Sequence, residues 1–127
     1  GFSFQENTTS VNTNSTAGYA TNNLTVVGHS YTVNAPVDGT YKFGVKYNYT
    51  STSQSQSSKF RWYLDGVAQA RVTEIELKDL SDDVTWTNFF YATLTAGNHT
   101  LELRLASESA GMTITLSSSA VEFWRVT

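Results

Sequence analysis

At 127 residues, 39% of them hydrophobic and 13% aromatic, the chain is long enough to bury one core without covalent staples. Charged residues reach only 15%, against about 25% in an ordinary globular chain, and the formal net charge of −3 excludes the clustered basic surface that nucleic acid demands. The absence of cysteine excludes disulfides, thiol catalysis and Cys-ligated zinc, and no apolar run approaches the roughly 20 residues of a membrane-spanning helix.

In chain order, Phe2 and Phe4 alternate with Ser3 and Gln5, which predicts a short edge strand over 1–7. Thr8 to Ala17 is too poor in apolar residues to build core; it reads as a loop or as a strand lying against a partner chain, and residues 1–20 together form a candidate N-terminal arm. Leu24 to Val33 carries two strand-like pieces separated by Gly28, and Ala35-Pro36-Val37-Asp38-Gly39 is a turn. Tyr41, Phe43, Val45, Tyr47 and Tyr49 then fall on one face of a strand, with Lys42, Gly44, Lys46 and Asn48 on the other. Thr50 to Ser58 is an uncharged low-complexity loop leading to Phe60, Trp62 and Leu64. Asp65-Gly66 is a hairpin signal between KFRWYL and VAQARV.

Ile75 and Leu77 predict a further strand, and the acidic run Asp79 to Asp83 reads as a surface loop closing it. Val84, Trp86, Phe90, Ala92 and Leu94 share a parity that a bulge near Asn88 would preserve, with Phe89 and Tyr91 opposite. After the turn Thr95 to Asn98, Leu101, Leu103 and Leu105 alternate with polar residues, and Ser107 to Gly111 turns the chain again. Met112 to Leu116 and Val121 to Val126 read as two last strands. About eight to ten strands at this turn spacing predict an all-β, antiparallel two-sheet sandwich, and no linker divides residues 1–127.

Three segments carry a family resemblance: APVDGTYKFGVKYNY, FRWYLDGVAQARV, and LTAGNHTLELRLA followed by GMTITLSSSAVEFWRV. Their order across 24–126 resembles the TNF-like or C1q-like jelly rolls of bacteriophage virion proteins and related bacterial surface proteins. They are also similar to carbohydrate-binding β-sandwich modules, although the Ser/Gln loop after the first aromatic strand and the FWRV ending depart from that pattern. The first resemblance implies a homotrimer packed through aromatic-rich faces. The seven Tyr and three Trp agree with it, because such rings are enriched in interface centres.

The candidate catalytic groups are thin. His29 and His99 are the only histidines, Ser30 and Asp38 are the nearest triad partners on paper, and no G-x-S-x-G elbow exists. Strand-end histidines, exposed or bonded to backbone, are the plainer reading. Glu74, Glu76, Asp79, Asp82 and Asp83 lack the spacing of a calcium loop and read as a solvated edge that opposes strand aggregation. Asn7, Asn14, Asn23, Asn48 and Asn98 each begin a glycosylation sequon, of consequence only in a eukaryotic secreted protein.

Trp62 and Trp86 share parity with core neighbours, whereas Tyr63 and Tyr91 face the other way and Trp124 fits either side. The candidate ligand or partner surface is therefore Tyr63, Tyr91, Trp124, Tyr47 and Tyr49, with no catalytic residue, metal ligand or cofactor expected. The leading expectation is a non-catalytic virion surface protein of a bacteriophage, a capsid-decoration or tail-fibre-tip domain. It would act as a homotrimer on other virion proteins or a host-surface glycan, without nucleic acid or membrane insertion. The alternative is an extracellular carbohydrate-binding module of a secreted enzyme.

Overall fold

A computed structural model describes residues 2–12, 24, 26–53, 58–69, 75–77, 80–107 and 112–127, with side chains for all but Phe2, Ser58, 75–77 and 82–87. Among them are ten strands: β1 (Phe2–Asn7), β2 (Val11–Asn12), β3 (Val26–Ala35), β4 (Gly39–Ser51), β5 (Ser58–Leu64), β6 (Val67–Ala68), β7 (Ile75–Leu77), β8 (Ser81–Leu94), β9 (Gly97–Ser107) and β10 (Ile114–Arg125). The first sheet runs β1-β10-β4-β8, with β2 also on β10; the second runs β3-β9-β5-β6, with β7 also on β5. Every pairing is antiparallel. The fold is an all-β, two-sheet sandwich of jelly-roll type. The segment read as an N-terminal arm supplies two strands to the first sheet of its own chain, on β10.

The alternation in β4 dictates the core. Tyr41, Phe43, Val45, Tyr47 and Tyr49 are all buried, facing Leu101, Leu103 and Leu105 of β9 and Phe60 and Trp62 of β5 in one cluster. The rings meet in pairs: Phe43 stacks on Phe90 with centroids 4.6 Å apart, Tyr41 on Phe123 at 4.9 Å, and Tyr47 tilts against Phe60 at 4.6 Å. Offset stacks of this kind contribute about 0.5–1.5 kcal/mol beyond the area they bury. Tyr41 keeps its hydroxyl satisfied by donating to the Val37 carbonyl at 2.6 Å, which ties the strand to the preceding turn.

Three bulges keep that alternation in phase. At Gly28 one extra residue of β3 stands between the Val27–Arg104 and His29–Leu103 pairs, so the two pieces read from sequence are one strand. A Cβ at Gly28 would lie 2.5 Å from Leu116 Cδ2 and 2.9 Å from Leu105 Cδ2, so only glycine lets the bulge press into the core. At Ser117 a second bulge joins the two expected C-terminal strands into one, β10. The third sits where sequence parity placed it: residues 85–87, just before Asn88, lie opposite the single residue Lys46.

One loop expectation is corrected. Ser81, Asp82 and Asp83 are not a surface loop but the start of β8, paired with Thr50, Tyr49 and Asn48. The long β4 needs a backbone partner to its end, and that demand overrides the low strand propensity of Asp. Expectations that fall on 13–17, 54–57, 70–74, 78–79 and 108–111, and the side chains of Glu76, Asp82, Asp83 and Trp86, lie outside what is described.

The Asp65-Gly66 hairpin forms as expected, with positive φ at both residues (50° and 81°), the twist-matched two-residue turn. Gly28→Ala is expected to lower stability by about 1–3 kcal/mol through overpacking against Leu116 and Leu105, read as a shift of the urea midpoint at unchanged slope.

Candidate binding face

The same alternation that turns the β4 aromatics inward turns Lys42, Gly44 and Lys46 outward. Cross-strand register then assembles the outer face of the first sheet in rows. Trp124 of β10, Lys42 of β4 and Tyr91 of β8 form one row. Phe4 of β1, Glu122, Gly44 and Phe89 form the next. Glu6, Ala120 and Lys46 form a third. Successive rows are about 7 Å apart, two residues along a strand.

The first two rows make a platform of rings around one cation. Tyr91 is 54% exposed, Phe4 51% and Phe89 36%, with Trp124, Lys42 and Glu122 half-buried. The Lys42 ammonium stands 4.5 Å from the Phe89 ring centroid, 5.4 Å from Trp124 and 5.7 Å from Tyr91. Each such cation–π contact is worth about 0.5–1 kcal/mol where water reaches it, enough to hold a flexible lysine upright among the rings. Gly44 makes the second row close: a Cβ there would meet Glu122 Cγ and Phe89 Cε1, each at 2.9 Å. Neither Lys42 nor Glu122 has a hydrogen bond or ion pair among the described residues, so a donor and an acceptor stand available within one aromatic frame.

Of the residues singled out from sequence, the structure brings Tyr91 and Trp124 together here. The other three are corrected. Tyr47 and Tyr49 have inward parity and pack on Phe60, 2% and 0% exposed, so they offer no partner surface. Tyr63 does face away from the core, on the outer side of the second sheet, but is 1% exposed. Leu24 crosses over it, donating its backbone N–H to the Tyr63 hydroxyl at 3.1 Å. Arg104 lies 4.0 Å above the Tyr63 ring while bonding the Leu24 carbonyl and Glu102. Residues missed from sequence are Phe4, Phe89, Lys42 and Glu122. Their parities were legible, but the register that makes them neighbours was not.

The histidines are both committed. His29, 2% exposed, donates from Nε2 to the Thr9 carbonyl at 2.7 Å, leaving Nδ1 to accept from the Ser119 hydroxyl at 2.6 Å. Tyr31 in turn donates to Ser119, and burial holds its hydroxyl above the usual phenol range. The serine beside His29 is thus Ser119 of β10, not Ser30, in a chain that links the two sheets; among the described residues no carboxylate is hydrogen-bonded into it. His99 does touch an acid, Asp65, at 2.7 Å, with its other nitrogen on the Thr95 carbonyl at 2.8 Å. Both partners are acceptors, so the arrangement favours the protonated ring, and neither nitrogen is left for a substrate. Among the described residues no three His, Cys, Asp or Glu side chains group as a metal site.

The chain matches no protein-family model. No curated protein matches it by sequence either. Among solved structures it is similar to the C-terminal domain of EclA, a sugar-binding protein, with a TM-score of 0.57 at 14% identity over 90% of this chain and 78% of that one. The CBM36-1 domain of a multidomain xylanase from the hindgut metagenome of Trinervitermes trinervoides gives 0.54 at 12% identity over 100% and 99%. Dimeric latent PorU from Porphyromonas gingivalis gives 0.51 at 10% identity over 98% of this chain and 13% of that one. At such identities the likeness is one of fold.

The Asp65–His99 pair makes hairpin anchoring pH-dependent. Hydrogen bonding to Asp65, then to the Thr95 carbonyl, raises the His99 pKa above 6.5. For Asp65, burial pulls upward, but hydrogen bonds from His99 and the Thr100 N–H outweigh it and lower its pKa below 3.8. The raised histidine stabilises the fold fully below its unfolded pKa and loses that contribution as pH rises through its folded one. The lowered aspartate stabilises above its unfolded pKa and loses its share as pH falls through its folded one. The stability gap between wild type and His99→Gln should therefore be widest between the two and narrow at both ends, measured by denaturant midpoints across pH.

Proposed function

We propose that this chain is an extracellular carbohydrate-binding domain that holds saccharide on the outer face of its first sheet, without catalysis. The observation that carries the reading is Lys42, an ammonium with no hydrogen-bond or ion-pair partner among the described residues, framed by Phe89, Tyr91 and Trp124 beside the equally unpartnered Glu122. A pyranose has apolar C–H faces and a polar hydroxyl rim. The faces pack on aromatic rings by dispersion, while charged donors and acceptors take the rim in charge-assisted bonds stronger than neutral ones. The likeness in fold to a sugar-binding protein and to a carbohydrate-binding domain of a xylanase supports this reading over the virion one.

The expectation of a homotrimer on a virion surface drew on surplus aromatic rings. Tyr41, Tyr47 and Tyr49 belong to the core, so among the described side chains the surplus shrinks to the four rings of this face. Those four surround charges rather than forming a continuous apolar patch, and a protein interface centre is depleted in such charges.

Affinity electrophoresis against a panel of soluble plant and bacterial polysaccharides tests the reading. Retardation on at least one is expected, and Trp124→Ala or Tyr91→Ala should weaken that binding about tenfold, the loss of one stacking surface. Tyr63→Phe, under Leu24 and on the other sheet, should bind like wild type. Migration unchanged by every polysaccharide, or binding indifferent to Trp124 and Tyr91, would overturn it.

A further inference from the structure

The platform does not end at its second row. One row further along the strands, Glu6 and Lys46 flank Ala120, and Ser118 follows on the same face, at the bulge of β10. These residues line a pocket of about 90 Å³. Ala120 is 1% exposed although it faces outward, because the flanking long side chains rise on both sides of it and it forms the floor. The pocket therefore differs in kind from the platform. Among the described residues its lining is Glu6, Lys46, Ser118, Ser119 and Ala120 with the buried Tyr47 beneath, and no described ring is exposed in it; its volume suits a small polar group together with its water rather than a stacked ring.

Resting on the carbohydrate reading, we infer that the face takes an unbranched, uncharged oligosaccharide of at least two units laid along the strands, one unit on the rings around Lys42 and the next reaching its hydroxyl groups into the pocket of Glu6, Lys46 and Ser118. Two features bear the inference. The platform and pocket lie on adjacent rows, about 7 Å apart, so a ligand continuous across them must extend along β4 and β10. The described charges on these rows balance, Lys42 and Lys46 against Glu6 and Glu122, so these rows show no surplus of described cations to favour an acidic sugar. Mixed donors and acceptors in equal number fit hydroxyl groups, which both give and accept.

Titration calorimetry with β-1,4-linked glucose, xylose and mannose series of one to four units, and with oligogalacturonate as the charged counterpart, separates the outcomes. Affinity for one neutral series should rise from one unit to two or three. Lys46→Met, which keeps the stem and removes the ammonium, should lower that gain about tenfold, the loss of a charge-assisted hydrogen bond, while leaving the single unit unchanged. Ala120→Leu, which fills the floor, should do the same. Should the Leu variant fail to fold, Lys46→Met on the exposed side of the wall still decides. Binding that depends on Trp124 but is indifferent to chain length and to Lys46 overturns the two-part site and leaves the platform reading standing. Preference for oligogalacturonate overturns the uncharged class. No binding of any saccharide removes both readings.

Discussion

The period of two in β4 is the constraint on which both halves of the molecule depend. A strand presents alternate residues to opposite sides, so the string Tyr41 to Tyr49 fixes at once an aromatic interior and a sparse exterior of Lys42, Gly44, Lys46 and Asn48. The interior half is close-packed against β9 and β5, which sets the distance between the sheets. The exterior half is unusually low at Gly44, and that depression lets β8 and β10 lean Phe89 and Glu122 over the central strand. Core and face are therefore not separable features. A one-residue slip of β4 against β10 would bury Lys42 and expose Phe43, disabling fold and platform together.

Bulges are how a sheet of long strands keeps such a period. β8 and β10 run to 14 and 12 residues, and over that length the sequence does not alternate without error. Each irregularity sits at a place where the pattern breaks: Gly28 between two apolar pairs, Ser117 in the Ser run of β10, and 85–87 before the doubled Phe89-Phe90. The bulge at 85–87 has a further effect. Past it, β8 resumes with Phe89 and Tyr91 outward and Phe90 inward, so one ring stacks on Phe43 in the core while its two neighbours join the platform. The bulge in β10 does the equivalent for Ser118 and Ala120, which it returns to the outer side in step with Asn48 and Lys46.

These particulars explain what the sequence disclosed and what it withheld. Most strands, the Asp65-Gly66 hairpin, the bulge near Asn88 and the inward leucines of β9 follow from local alternation and turn chemistry and were legible; β2 and the acidic start of β8 carry no such alternation and were not. Whether an outward residue is open to solvent is not local. Tyr63 and Tyr91 have the same sequence signature, a tyrosine opposite a core aromatic, yet one is 1% and the other 54% exposed. The difference is Leu24, some forty positions upstream of Tyr63, whose backbone closes on the Tyr63 hydroxyl. Likewise Lys42 and Trp124 are 82 residues apart, and only register makes them neighbours. Tyr47 and Tyr49 were read as interface rings because the core was judged too small to need them. Stacking against Phe60 shows that a sandwich between two aromatic strands takes them readily.

That contrast between the two outer faces bears on which side is open to a ligand. The second sheet's outer face is occupied at its centre: Leu24 and Ala106 are fully buried with Tyr63 in a small cluster of their own, and Arg104 is engaged by Glu102, by the Leu24 carbonyl and by the Tyr63 ring. The cation at its centre, Arg104, is therefore already matched. On the first sheet the corresponding cation, Lys42, meets rings but no carboxylate among the described residues, although Glu122 stands only one row away on the neighbouring strand. Two opposite charges on one platform that do not pair with each other remain hydrated, and a ligand that takes both exchanges those waters for two charge-assisted bonds without first breaking an ion pair. The same argument explains why rigid aromatic side chains surround the lysine. They hold its stem in place, so a ligand bound there would cost less side-chain freedom.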